Sequence, residues 1–119
     1  MFPAPDYTMN LRGKLVELRR PWVMGILNVT PDSFYADSRT PMAEPERIAQ
    51  RVRQMLAEGA DIIDVGAYSS RAGADDISPL EEMQRLEVAL TTVRGVAPEV
   101  YVSVDTFRSE VARQCVEHF

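Results

Sequence analysis

The sequence has 119 residues, is 45% hydrophobic and 26% charged, and carries a formal net charge of -5 with one Cys and one His. Such a composition is that of an ordinary globular chain; it excludes disorder, an internal disulfide scaffold and the basic footprint of a general nucleic-acid binder. No apolar run approaches the roughly 20 residues of a membrane span, and residues 1–6 lack the basic and apolar regions of a signal peptide, so a cytoplasmic protein with neither nucleic-acid nor membrane partners is expected.

Residues 8–18, TMNLRGKLVEL, read as a hairpin with Arg12-Gly13 where a tight turn needs glycine. Trp22 to Leu27 is a continuous apolar run, too short for a typical helix, and predicts a strand buried on both faces. Residues 28–41 carry Asn, Pro, Asp, Ser and Thr and predict a loop. Over 44–58, Ile48, Val52, Met55 and Leu56 recur at helical spacing, with Pro45 in the first turn and Gly59 beyond the end. A second buried strand is predicted at 61–66, DIIDVG, followed by a polar loop at 67–77. Ser78-Pro79-Leu80-Glu81 then opens a helix, with Ser as N-cap, Pro first and Glu third. Leu80, Met83, Leu86, Leu90 and Val93 line one face of it, and Gly95 lies just beyond. VYVSV at 100–104 predicts a third strand, and Asp105-Thr106 the start of a third helix with Val111, Ala112, Cys115, Val116 and Phe119 on one side.

A hairpin followed by three β-α units implies an α/β fold with a parallel sheet covered by helices. The units at 22–58, 61–94 and 100–119 form one partial domain over 1–119, without linker or repeat. A closed (β/α)8 TIM barrel needs about 250 residues, so three units correspond to its N-terminal portion. An incomplete barrel leaves unpaired strand edges and uncovered inward faces at Ile26, Ile62, Val65 and Val102, so self-association into a homo-oligomer is expected.

Polar residues collect at the C-terminal ends of the three strands, which is where α/β folds place ligands. The first ends in Asn28, the second carries Asp64 before Gly66, and the third runs into Asp105. An isolated Asp within an apolar strand is as a rule satisfied by backbone N–H groups or an Arg, and Asp105 by itself also reads as a helix cap. Oxygen-bearing side chains on three successive strands point instead to one shared pocket. They suit a hard cation or the N–H donors of a heterocycle. Arg71, on a Ser- and Gly-rich loop, has the fork that matches phosphate or carboxylate. Cys115 and His118 lie away from the strand ends and are assigned no role.

MGILNVTPDSF at 24–34 resembles a signature of the dihydropteroate synthase family, and ADIIDVGAYSSRAGA at 60–74 resembles its second. SVDTFRSEVA at 103–112 is similar to that family's third strand and helix, and MNLRGKLVEL to its leading strand pair. The resemblance implies a TIM barrel that joins 4-aminobenzoate to 6-hydroxymethyl-7,8-dihydropterin pyrophosphate with Mg²⁺ present. It implies that Asn28 meets the metal and pyrophosphate, that Asp64 and Asp105 line the pterin pocket, and that Arg71 meets pyrophosphate. Ser70 stands where the family has a Thr beside aminobenzoate, and Phe34 matches the aromatic of the first loop. Asp64, Asp105 and Arg71 are thereby the expected catalytic residues. The sequence departs from the family at Ala72, where Pro is usual, and at Asp37-Ser38-Arg39, where Asp-Gly-Gly is usual. The family's later pocket residues, an Asn, an Asp, a Lys and a final Arg and His, have no counterpart among these 119 residues, so the resemblance implies an enzyme at full length and these residues alone are expected to be inactive. Two other readings are a non-catalytic pterin-binding module and a pterin-dependent methyltransferase of the same superfamily. NVTPDSF followed by Ser69-Ser70-Arg71 argues against the methyltransferase.

Overall fold

The computed structural model describes residues 7–29, 44–67 and 77–119. The chain opens with strands β1 (Tyr7–Leu11) and β2 (Lys14–Leu18), paired antiparallel. Arg12 and Gly13 between them both take positive φ, 55° and 76°, as a two-residue turn matched to strand twist requires. Three β-α units follow: β3 (Met24–Asn28) with α1 (Glu44–Ala57), β4 (Ile62–Gly66) with α2 (Pro79–Val96), and β5 (Tyr101–Asp105) with α3 (Ser109–His118). The three strands form one parallel sheet in the order β3-β4-β5. It is an α/β architecture with the barrel unclosed.

Local sequence accounts for the helix boundaries. Gly59, at φ 103°, ends α1: its N–H reaches the Leu56 carbonyl and the Ala60 N–H reaches that of Met55. That pair of bonds is the glycine-dependent helix stop. Ser78 caps α2, its hydroxyl accepting from the Glu81 N–H at 3.1 Å, with Pro79 at the first helical position. Two expectations are corrected here. Gly95 lies inside α2, which runs on to Val96, and Leu80 is 69% exposed while Glu82 is buried. The buried face comprises Glu82, Leu86, Ala89, Leu90 and Val93.

Strand parity decides which side is core. Leu27, Ile63 and Val65 are buried and cluster with Ile48 and Val52 of α1, Leu86, Leu90 and Val93 of α2, and Val111 and Cys115 of α3. Each such aliphatic side chain contributes about 1.5–3 kcal/mol by leaving water. Val65 and Val102 therefore belong to the helix-covered side, not to the inward face expected of them, since they alternate with Asp64 and Ser103. On the opposite side Met24 is 47% and Ile26 53% exposed, so β3 is not buried on both faces as its apolar run suggested, whereas Ile62, expected to be uncovered there, is buried at 7% exposure. No helix of the described residues covers that side.

The third helix also begins later than expected, at Ser109 with Arg108 as its N-cap residue. Asp105 is the last residue of β5 and not a helix cap. On α3, Val111 and Cys115 are buried, whereas Val116 is 84% exposed and lines an open groove with Val102, Val104 and Phe119. At the N-terminal end of the sheet, Arg12 and Arg94 both donate to the Val100 carbonyl at 2.8 Å, and Trp22 stacks on Tyr101. The Arg20 guanidinium holds the Asp61 carboxylate, which also accepts from the Val23 N–H at 2.8 Å. These contacts seat the hairpin on the end of the sheet remote from Asn28 and Asp105.

Candidate functional site

The open face of the sheet carries the site. Register sets Asn28, Gly66 and Asp105 in one row across the three strands, and Ile26, Asp64 and Ser103 in the row beneath. Because side chains alternate along a strand, all six positions address the same side. Asn28 and Asp105 are exposed and Asp64 is half-buried. From strand spacing and rise, Asp64 and Asp105 have Cα atoms about 8 Å apart, one heterocycle's width. The expected convergence of Asn28, Asp64 and Asp105 is therefore realised in the backbone register.

Gly66 creates the opening. A Cβ built there would lie 3.4 Å from Asn28 Oδ1 and 3.6 Å from the Asp105 Cβ. Any side chain at this position would stand between the amide and the carboxylate. One row deeper, the Ser103 hydroxyl donates to Asp64 Oδ1 at 2.5 Å. That bond fixes the carboxylate's orientation and leaves its second oxygen for another donor. Beside Asn28, at the outer edge of β3, a cavity of about 420 Å³ is lined by Arg47, Gln50, Arg51 and Gln54.

A second polar group borders the strand ends and was not anticipated. Glu82 is fully buried and accepts from Thr106 Oγ1 at 2.7 Å and from Arg108 Nη1 at 2.8 Å. Its signal was present in the helical period: four residues before Leu86, a core position is filled by a carboxylate. Ser103 likewise follows from period-two alternation with Asp105, once the registration of β5 on β4 is known.

Phe34, Ser70 and Arg71 lie outside the described residues, as do 30–43 and 68–76 as a whole. Cys115 is buried in the helix-side core, and burial with the nearby Glu82 charge pushes its thiol pKa up, as suits an unreactive side chain. His118 is exposed on α3, remote in register from the strand ends. Among the described residues, no group of three or more His, Cys, Asp or Glu side chains forms a metal cage. No described helix is long and apolar enough to cross a membrane.

Residues 24–119 match the family model described as pterin binding enzyme, which covers most of the chain and all three β-α units. The chain belongs to the pterin binding enzyme family. Among family relatives, the mitochondrial folate synthesis bifunctional protein of Arabidopsis thaliana is 48% identical over 98 residues, 81% of this chain and 17% of that protein. The dihydropteroate synthase of Staphylococcus haemolyticus is 45% identical over 95 residues, 80% of this chain and 34% of its own length. Among solved structures, Xanthomonas albilineans dihydropteroate synthase with 4-aminobenzoic acid superposes with a TM-score of 0.79 and 34% identity, over 95% of this chain and 40% of that one. The pterin binding enzyme fold is thus present here as part of a TIM barrel, and the chain spans about a third or less of the curated relatives' length.

Proposed function

We propose that this pterin binding enzyme chain supplies the first three β-α units of a dihydropteroate synthase. The observation that carries the reading is the row Asn28–Gly66–Asp105 above Asp64 and Ser103 on the open face of the sheet. Two carboxylates and one amide, with a glycine gap between, suit a flat heterocycle that carries several N–H donors and one anionic arm. Asp64 and Asp105 accept from the heterocycle's ring and amino N–H groups and, being negative, stabilise positive charge that develops on an electron-rich pterin. Asn28 lies toward the anionic arm, at the outer edge of β3 beside the open cavity.

The reaction balances without an enzyme nucleophile. The 4-aminobenzoate nitrogen attacks the methylene carbon of 6-hydroxymethyl-7,8-dihydropterin pyrophosphate, the carbon–oxygen bond breaks, and pyrophosphate leaves. The amine proton passes to solvent. Arg71 and Ser70 belong to this reading as contacts to pyrophosphate and to aminobenzoate, and Phe34 as the aromatic of the first loop. A single amide oxygen without a carboxylate cage fits Mg²⁺, which binds through few protein ligands plus substrate phosphates. Asn28 would hold that ion, which when bound neutralises charge on the departing pyrophosphate. A cytoplasmic setting is part of the reading, and fractionation tests it against the mitochondrial name of the plant relative.

The test is calorimetric binding of 6-hydroxymethylpterin and of pyrophosphate with Mg²⁺ to the parent sequence and two variants. Asp105→Asn is expected to weaken pterin binding by about tenfold or more, the scale of one lost hydrogen bond to a charged group. Asn28→Ala is expected to weaken pyrophosphate and leave the pterin within about threefold, less than one neutral hydrogen bond is worth. Equal losses for both probes in both variants would refute the assignment of the two ends. Turnover of both substrates separates an enzyme from a pterin-binding module.

A further inference from the structure

A buried ionic cluster lies beside the strand-end site without belonging to it. Glu82, in the first turns of α2, has both carboxylate oxygens engaged: one accepts from Arg108 Nη1 at 2.8 Å, the other from Thr106 Oγ1 at 2.7 Å. The other terminal nitrogen of Arg108 donates to the Ile77 carbonyl at 2.7 Å. The Thr106 hydroxyl in turn accepts from the Arg108 backbone N–H at 3.2 Å. Three parts of the chain are joined by these bonds. Thr106 and Arg108 form the turn directly after Asp105, Ile77 lies two residues before α2, and Glu82 is the anchor between them.

A buried charge is expensive and survives only when fully paired. Apolar side chains of similar volume would hold a core at least as well, so stability alone does not account for a glutamate here. What the ionic cluster adds is direction. Each bond has one donor and one acceptor at a set angle, so the turn and Ile77 can dock in only one arrangement. The helix N-terminus supplies further support for the negative charge.

We propose that Glu82 is a positioning residue which, through Thr106 and Arg108, locks the turn after Asp105 to Ile77 at the entry of α2, so that Asp105 is held in its row of the pterin site. Its consequence for ligand rests on the pterin reading above; the lock itself does not. Glu82 touches no ligand in this scheme and acts through the placement of Asp105.

The experiment uses four variants of the whole chain: Glu82→Gln, Arg108→Lys, and the pair Thr106→Val and Thr106→Ser. The Thr106 pair changes one hydroxyl and little volume, so it stays informative where Glu82→Gln fails to fold. Hydrogen exchange of peptides covering Ile77 and 106–108 is measured together with binding of 6-hydroxymethylpterin, well below each variant's unfolding transition. The lock requires that protection falls in both peptides together in Thr106→Val, that Thr106→Ser stays like the parent, and that pterin affinity falls about tenfold in Thr106→Val and at most twofold in Thr106→Ser. Arg108→Lys, which keeps the charge and loses the fork, is expected to free the Ile77 peptide most. Exchange rising in only one of the two peptides overturns the proposal. A lowered Tm with unchanged pterin affinity also overturns it, since Glu82 would then be a stabilising contact and nothing more. If the parent chain binds no pterin, the proposed function falls, and the lock stands or falls on the exchange data.

Discussion

Gly66 offers the sharpest separation of fold from function. It sits buried in β4 between Asn28 and Asp105, and its φ is not in the left-handed region. An added methyl would meet Asn28 Oδ1 at 3.4 Å, the Asp105 Cβ at 3.6 Å and the Asp105 carbonyl at 3.7 Å. The last two are ordinary contacts, and the first requires the amide to turn aside slightly. Glycine within a strand costs roughly 0.5–1 kcal/mol relative to alanine through backbone entropy, which offsets that adjustment. Gly66→Ala is therefore expected to change stability by less than about 1 kcal/mol, a Tm shift of about 5 °C or less. The same methyl stands between the amide and the carboxylate that would hold the ligand. Pterin affinity is expected to fall by about tenfold, the scale of one lost hydrogen bond to a charged group. Gly66→Val, which adds two more methyl carbons in a residue well suited to a strand, is expected to fold and to bind no measurable pterin. Thermal melts followed by circular dichroism and titration with 6-hydroxymethylpterin read the two effects separately. Parent-like pterin binding by Gly66→Val would refute the placement of the ligand across this row.

Two further outcomes follow from the rest of the fold. The Asp61 carboxyl is held below its ordinary value of 3.8 by the Arg20 guanidinium first and the Val23 N–H second. A depressed carboxyl stabilises the folded state above its unfolded-state pKa, and that stabilisation disappears as pH falls through the folded-state value. Asp61→Asn is expected to lower the urea midpoint at pH 7, with the gap to the parent narrowing as pH falls; a gap independent of pH would refute the linkage. β3 and β5 are the edges of the described sheet, and Met24, Ile26 and Val116 are exposed. Self-association is therefore expected in light scattering, and a monodisperse monomer at high concentration would contradict it.

Most of what a few neighbouring residues set was readable from the sequence, the Gly95 stop excepted. Arg12-Gly13 specifies a hairpin because only a glycine-type turn matches the strand twist, and Ser78-Pro79 with Glu81 specifies a helix start because each satisfies or removes an orphan N–H. Gly59 marks a helix end for the same local reason. The identity of Asn28, Asp64 and Asp105 as site candidates was also readable, since polar groups at the ends of apolar strands are costly without a purpose.

What needed the tertiary structure was every statement about sides and partners. Apolar runs without alternation do not say which parity faces the helices; only the packing of α1, α2 and α3 shows that Val65 and Val102 lie on the covered side. The start of α3 depended on where the turn after Asp105 is tied down, and that tie is to Glu82 on another helix, 24 residues from Thr106 and 26 from Arg108. The bond from Ser103 to Asp64 spans 39 residues and exists only because β4 and β5 pair in this register. Local chemistry determined the elements and their candidate residues; only the packing of strand on strand and helix on sheet decided which side chains meet, because each such contact joins positions whose separation along the chain carries no local signal.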